Sequence, residues 1–286
     1  MEDFSGKTAV ITGAASGIGR ALALKFAGAG CNLALADVDD AGAKQTCDLA
    51  AEHRVQAKSF HCDVSSQDSV DAFADAVFEA FGAVHILCNN AGVLSGGTCW
   101  EVDIKDYQWQ LGVNTFGPIH GVRSFLSRMI AQDTPGHVVN TASMAGLTAN
   151  PFAGAYHMSK HAALAFSECL YHELTLTGSK IGVSVLCPEL IDTGIAESER
   201  SRTDAYKNED GKAPEITASG KMVVGALAEG MNKAGLDPSV MADRVYDAIV
   251  DNRFYILSEE EWRDASNLRF EDIRLGRNPT FAPPEV

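Results

Sequence analysis

The stretch "KTAVITGAASGIGRALALKFAGAGCNLALAD", residues 7–37, joins a β-branched run, a glycine-rich turn, a helix-forming segment and a second apolar run that ends in an acid. Its turn carries Gly13, Gly17 and Gly19 in the spacing G-x-x-x-G-x-G. Glycines there let the backbone turn sharply and approach a pyrophosphate, which the positive end of the following helix dipole holds. The spacing differs from the general dinucleotide fingerprint G-x-G-x-x-G, and by itself it also suits a plain structural turn. Asp37 adds the second signal. It lies 18 residues beyond Gly19, where an acid reaches an adenosine ribose; the other use of an acid at such a place is to cap the next helix. Facing the ribose, it would give a charge-assisted hydrogen bond of about 1.5 to 3 kcal/mol to a free 2′-hydroxyl and would repel a 2′-phosphate. That favours NAD over NADP. Ala14, Ala15 and Ser16 offer no cation, although Arg20 could reach a phosphate.

Further short apolar runs follow at 57–64, 84–92, 136–143 and 181–190, and a helix-sized segment follows each of the first five runs. Most are too apolar to alternate, as expected of strands covered on both faces. The repetition predicts an α/β fold, a doubly wound parallel sheet of about seven strands with helices on both sides. The seventh strand is "RFYILS", 253–258, after the helix-like "SVMADRVYDAIVDN". One domain over 1–286 is expected, because no low-complexity linker divides the chain. Within it, 191–235 reads differently, its stretch "AESERSRTDAYKNEDGKAPE" polar, charged and poor in β-branched residues, as in a mobile substrate lid or a disordered loop, and 259–286 forms a C-terminal extension.

Asp and Glu outnumber Lys and Arg by 38 to 23, a formal charge of −15. Nucleic acid and anionic membranes are repelled by such a balance. No signal-peptide pattern opens the chain and no apolar stretch reaches the roughly 18 to 20 residues needed to span a bilayer, so a cytoplasmic protein is expected. The seven cysteines form no C-x-x-C pair and read as buried thiols.

A second decisive stretch is "YHMSKHAALAF", 156–166. Tyr156 and Lys160 are four apart and share a helix face. His157 and His161 have the same spacing, yet no third ligand or H-E-x-x-H pattern accompanies them, so no metal site is expected and the imidazoles read as packing or subunit contacts.

With these residues in view, the chain resembles the short-chain dehydrogenase/reductase family, in its branch of single-domain Rossmann-type enzymes with a Tyr-x-x-x-Lys active site. The resemblance runs from residue 5 to about 195 and rests on "TGAASGIG" (12–19), "DV" (63–64), "NNAG" (89–92), the asparagine of "GVNTFG" (Asn114), and "TAS" (141–143) followed by "YHMSK". It implies that Gly13, Ser16, Gly17, Ile18, Gly19 and Asp37 hold the dinucleotide. Asp63 would contact the adenine and Val64 flank it, while Asn90, Ala91 and Gly92 would line the cofactor. Ser143, Tyr156 and Lys160 match the family's catalytic residues, and Asn114 the one supporting a proton relay through water. Separately, Asn114 also suits a helix kink and Ser143 a strand-end cap. In "CPELIDTGI" Pro188, Ile191 and Thr193 match the family's nicotinamide-binding turn, but Glu189 stands where glycine is usual. Its carboxylate would either point to solvent or touch substrate or cofactor.

These residues suit NAD-dependent oxidation of a secondary alcohol or reduction of a ketone, with Tyr156 as base. Its phenol needs a shift of about 2 to 3 units from a pKa near 10, and a lysine charge about 5 Å away at an effective dielectric near 20 is worth roughly 3 kcal/mol toward the phenolate. An isomerase or lyase on the same scaffold, or a dinucleotide-sensing protein without chemistry, are the alternatives. Leu94, Met144, Leu147, Phe152, Ile195 and Tyr206 suggest a hydrophobic or aromatic substrate, since no arginine cluster precedes Arg200 and Arg202. The resemblance further implies a homodimer or homotetramer through the helix of "AALAFSECL", which otherwise simply covers the sheet.

Overall fold

The computed structural model describes residues 1, 3–257 and 260–281. Seven parallel strands form one sheet in the order β3-β2-β1-β4-β5-β6-β7. They are β1 Thr8–Thr12, β2 Asn32–Asp37, β3 Ala57–His61, β4 Ile86–Asn89, β5 Gly136–Thr141, β6 Ile181–Leu186 and β7 Tyr255–Ile256. The crossover helices are α1 Gly17–Gly28, α2 Asp40–Ala50, α3 Gln67–Phe81, α4 Ile104–Leu111, α5 Gly117–Ala131, α6 Gly154–Leu176 and α8 Pro238–Asp251; α7 Ala218–Ala234 and α9 Glu260–Leu275 lie outside that alternation. The doubly wound α/β fold expected from the sequence is thus the fold observed.

Successive strand residues feed opposite cores, as the period of two requires. Ala9 and Ile11 of β1 join Leu22 and Phe26 of α1 and Val245 and Ile249 of α8 on one face; Val10 joins Phe73 of α3, Phe125 of α5 and Leu170 of α6 on the other. Each such large side chain, taken fully from water, contributes about 1.5 to 3 kcal/mol before entropy is charged against it. β3 departs from the two-sided burial seen elsewhere: Lys58, Ser59 and His61 are exposed, because an edge strand has a neighbour on one side only. The burial of thiols is also incomplete. Cys31, Cys47, Cys62, Cys88 and Cys187 are buried, while Cys99 and Cys169 are exposed.

The polar 191–235 segment contains short helical turns at Gly194–Ser201 and Asp204–Tyr206 and the 17-residue α7. Its charge is partly internal. Arg202, whose side chain is 1% exposed, meets Asp106 at 2.5 Å and Glu199 at 2.6 Å and lies 3.9 Å over the Trp109 ring. Of the expected seventh strand, Ser258 lies outside the described residues, as do 259 and 282–286 of the C-terminal extension.

Candidate active site

The strand order reverses between β1 and β4, and in open α/β sheets a crevice forms there, beyond the carboxyl ends of the strands. A cavity of about 860 Å³ occupies that place. It brings together Gly13, Ser16, Gly17, Ile18, Gly19, Asp37, Asp63, Val64, Asn90, Ala91, Gly92, Ser143, Tyr156, Lys160, Pro188, Ile191 and Thr193. Of the expected catalytic and cofactor-binding residues, Asn114 is the one outside the lining.

The turn after β1 needs its glycines. Gly13 has φ +67°, and a Cβ on it would stand 2.7 Å from Ala91 Cα; one on Gly19 would stand 2.0 Å from the Gly13 carbonyl oxygen. Asn90 locks the turn by donating its amide to the Thr12 carbonyl at 3.0 Å. α1 then starts with Ser16 making no side-chain cap bond and no acid in its first turn, which leaves its N–H groups to the cleft. That end fits a pyrophosphate.

Asp37 is not a helix cap: α2 is capped by Asp39, which accepts from Gly42 N–H. The Asp37 carboxylate instead accepts from Ala15 N–H at 2.9 Å and Asp39 N–H at 3.0 Å. Burial raises its pKa from the ordinary value and these N–H donors oppose that rise. Arg20 turns away, bound to Ala15 O, Gln45 and Thr46. Asp63 accepts at one carboxylate oxygen from both the N–H and the hydroxyl of Ser65.

At the other end, the first turns of α6 present Tyr156 and Lys160. The Lys160 Nζ lies 5.7 Å from the Tyr156 ring centroid and donates to the Thr141 carbonyl at 3.0 Å. Burial pushes Lys160 down to about 8. Burial likewise pushes the Tyr156 phenol up to about 12, against a hydrogen bond from Ser143 that lowers it. Desolvation of a phenolate inside the cleft sets the direction of the tyrosine shift. Ser143 is both partner and cap, its Oγ accepting from Ala145 N–H at 3.1 Å. Asn114 stands in a π-helical turn, Gly112–Phe116, between α4 and α5, with its carboxamide bonded to both backbone groups of Val93 and to Ser159 Oγ. Such widened turns are frequent at functional sites.

Glu189 does not point to solvent: its side chain is only 3% exposed, it lines the cavity, and Arg244 of α8 holds its carboxylate at 3.0 Å. The substrate end is lined by Leu94, Met144, Phe152 and Ile195 as expected, but Leu147 packs under the sheet end with Leu164 and Val185, and Tyr206 packs against Gly112. Val223, Ala226 and Leu227 of α7, together with Thr148, Asn150 and His157, complete the wall. The α7 residues lie in "KMVVGALAEGM", 221–231, an apolar run that could have flagged them inside a segment read from its polar part; His157 is visible and reads as a packing or subunit contact. Among the described residues no cluster of ligands suits a metal ion, and no helix is long and apolar enough to cross a membrane.

Residues 7–204 match the family model described as short chain dehydrogenase. A short-chain dehydrogenase/reductase from Burkholderia phymatum, solved in complex with NAD, is 43% identical, superposes with a TM-score of 0.94 and is covered over 99% of both chains. The "CLA biosynthesis dehydrogenase/reductase" of Lactiplantibacillus plantarum is 31% identical over 100% of this chain and 98% of its own. The 1-deoxy-11-beta-hydroxypentalenate dehydrogenase of Streptomyces exfoliatus is 33% identical over 97% of this chain and 91% of its own. Solved relatives hold either NAD or NADP.

Proposed function

Because the chain belongs to the short-chain dehydrogenase/reductase family of oxidoreductases, we propose that it moves a hydride between NAD and a hydrophobic secondary alcohol or ketone. The observation that carries this reading is the convergence of Ser143, Tyr156 and Lys160 at one end of a cleft whose other end is Asp37. When bound, NAD supplies the hydride-accepting ring, positively charged in its oxidised form.

Tyr156 would take the hydroxyl proton of the alcohol while its hydride passes to bound NAD, so that one alcohol and oxidised NAD would balance one ketone, NADH and a proton. Lys160 would act on the phenol as a fixed positive charge, to which an oxidised nicotinamide ring, when bound, would add a second. Ser143 holds the substrate oxygen beside Tyr156, a positioning and electrostatic role. Asn114 ties Val93, which lines the cleft, to the buried Ser159 hydroxyl of α6. Asp37, its carboxylate already fixed by two N–H donors, is set to receive a ribose hydroxyl and to repel a 2′-phosphate, and the engagement of Arg20 elsewhere supports NAD over NADP. The apolar lining from Leu94, Met144, Phe152 and α7 supports a hydrophobic substrate and a covering role for 191–235.

NADH absorbance followed over a panel of bulky secondary alcohols and their ketones tests the reading. Turnover with apolar members, faster with NAD than with NADP, is expected. No change in absorbance with any member, despite NADH binding, would instead favour the dinucleotide-sensing alternative.

A further inference from the structure

His157, the residue after the proposed base, is 8% exposed and makes three hydrogen bonds to one short span of chain. Its Nδ1 is 2.8 Å from both the Ala145 and the Thr148 carbonyl oxygens, and its Nε2 receives the Asn150 N–H at 3.1 Å. Carbonyls only accept and a backbone N–H only donates, so the proton sits on Nδ1 and Nε2 keeps its lone pair. The ring is neutral in one tautomer. Ala145, Thr148 and Asn150 all line the cleft beside the substrate end.

The span it holds leads in two directions. Toward the chemistry, Ala145 is fixed at its oxygen by His157 and gives its N–H to Ser143 Oγ. Away from it, Phe152, also in the lining, has φ +63°, a left-handed conformation that bulky side chains rarely adopt. Such strain persists only where the surroundings over-determine it. Here Asn150 N–H is tied to His157 on one side and the Phe152 carbonyl accepts from Gly97 N–H at 2.7 Å on the other.

We infer that His157 is a positioning residue: its neutral ring braces the 145–150 wall against α6 and so sets the Ser143 hydroxyl and the Phe152 ring relative to Tyr156. The turnover part of this inference rests on the proposed oxidoreductase reading. Protonation would place an N–H on Nε2 facing the Asn150 N–H and would break the brace. The ionisable groups facing the ring are His161 on its own helix, ring centroids 6.5 Å apart, and Arg269 on α9; both, with burial as the larger cause, hold the imidazole below its ordinary value.

The test compares wild type with His157→Phe, which keeps a ring and loses all three bonds, and His157→Asn, whose amide retains a donor near the Nδ1 position. Amide hydrogen exchange at 145–150 should quicken about tenfold or more in the Phe variant and recover in part in the Asn variant. For a substrate found in the panel, kcat/KM should fall about 10- to 100-fold in the Phe variant with NADH affinity unchanged. In wild type KM should rise on acidification below the ordinary histidine range, and that rise should be absent in the Asn variant. Should the Phe variant fail to fold, the exchange and pH profile of the Asn variant decide. Exchange at 145–150 unchanged in the variants, or loss of kcat/KM matched by loss of NADH binding, would overturn the inference. Failure to find any substrate would count against the oxidoreductase reading alone, because the exchange measurement needs none.

Discussion

Lys160 Nζ stands 5.7 Å from the Tyr156 ring centroid on one face of α6, the lysine buried and the tyrosine partly exposed to the cleft, and desolvation drives lysine down to about 8 and tyrosine up to about 12. Each group is thus pushed toward its neutral form. The free protein should show no Tyr156 phenolate below about pH 11, measured as the difference in ultraviolet titration between wild type and Tyr156→Phe, and oxidised NAD should move the transition to lower pH. Replacing Lys160 with Met should cut kcat/KM by about 100-fold or more, since one charge at this range is worth roughly 3 kcal/mol.

Asp37 should govern the choice of cofactor. Its carboxylate is fixed by the Ala15 and Asp39 N–H groups. Asp37→Asn keeps an acceptor and removes the charge, so kcat/KM with NAD should fall by about 10-fold or more while NADP improves, in line with a charged hydrogen bond of about 1.5 to 3 kcal/mol. Steady-state kinetics with both dinucleotides measure it. An unchanged ratio of the two would remove Asp37 from the ribose.

Glu189 and Arg244 should be coupled in stability. The glutamate side chain is 3% exposed and the arginine 21%, so removing one partner leaves the other partly desolvated. Denaturant unfolding of Glu189→Gln, Arg244→Met and the double variant should give a coupling energy of about 1 to 3 kcal/mol, below the loss typical of fully buried pairs because Arg244 retains some water.

His137 should make the protein acid-sensitive. Burial holds its imidazole down to about 3, and its Nε2 meets Ser184 Oγ at 2.8 Å. A histidine depressed in the folded state binds its proton in the unfolded chain first. Stability is therefore full above the unfolded value near 6.5 and falls as pH drops from there toward 3. His137→Gln should flatten the slope of unfolding free energy against pH in that window, measured by chemical denaturation at several pH values.

The parts of this molecule that sequence made legible are those set by short-range rules. The turn at Gly13, the acid at the end of β2 and the i, i+4 pair of Tyr156 and Lys160 each follow from spacing within one element or one turn. What stayed hidden depends on partners far along the chain. Glu189 meets Arg244 55 residues later, and Arg202 meets Asp106 96 residues earlier. Composition alone made both segments look solvated. Leu147 and Tyr206 are apolar and near the site in sequence, yet which face each shows depends on a turn and a loop whose periodicity carries no signal. The opposite shifts of Tyr156 and Lys160 were hidden for a related reason, since burial is a property of the whole cleft.

The most direct measurement is single-turnover hydride transfer in Tyr156→Phe, with NADH affinity measured on the same preparation. With a substrate that wild type oxidises, the account predicts that turnover falls by a factor of about 1000 or more while NADH binds as tightly as before. Hydride transfer at a rate near that of wild type would show that the phenol of Tyr156 does not take the proton.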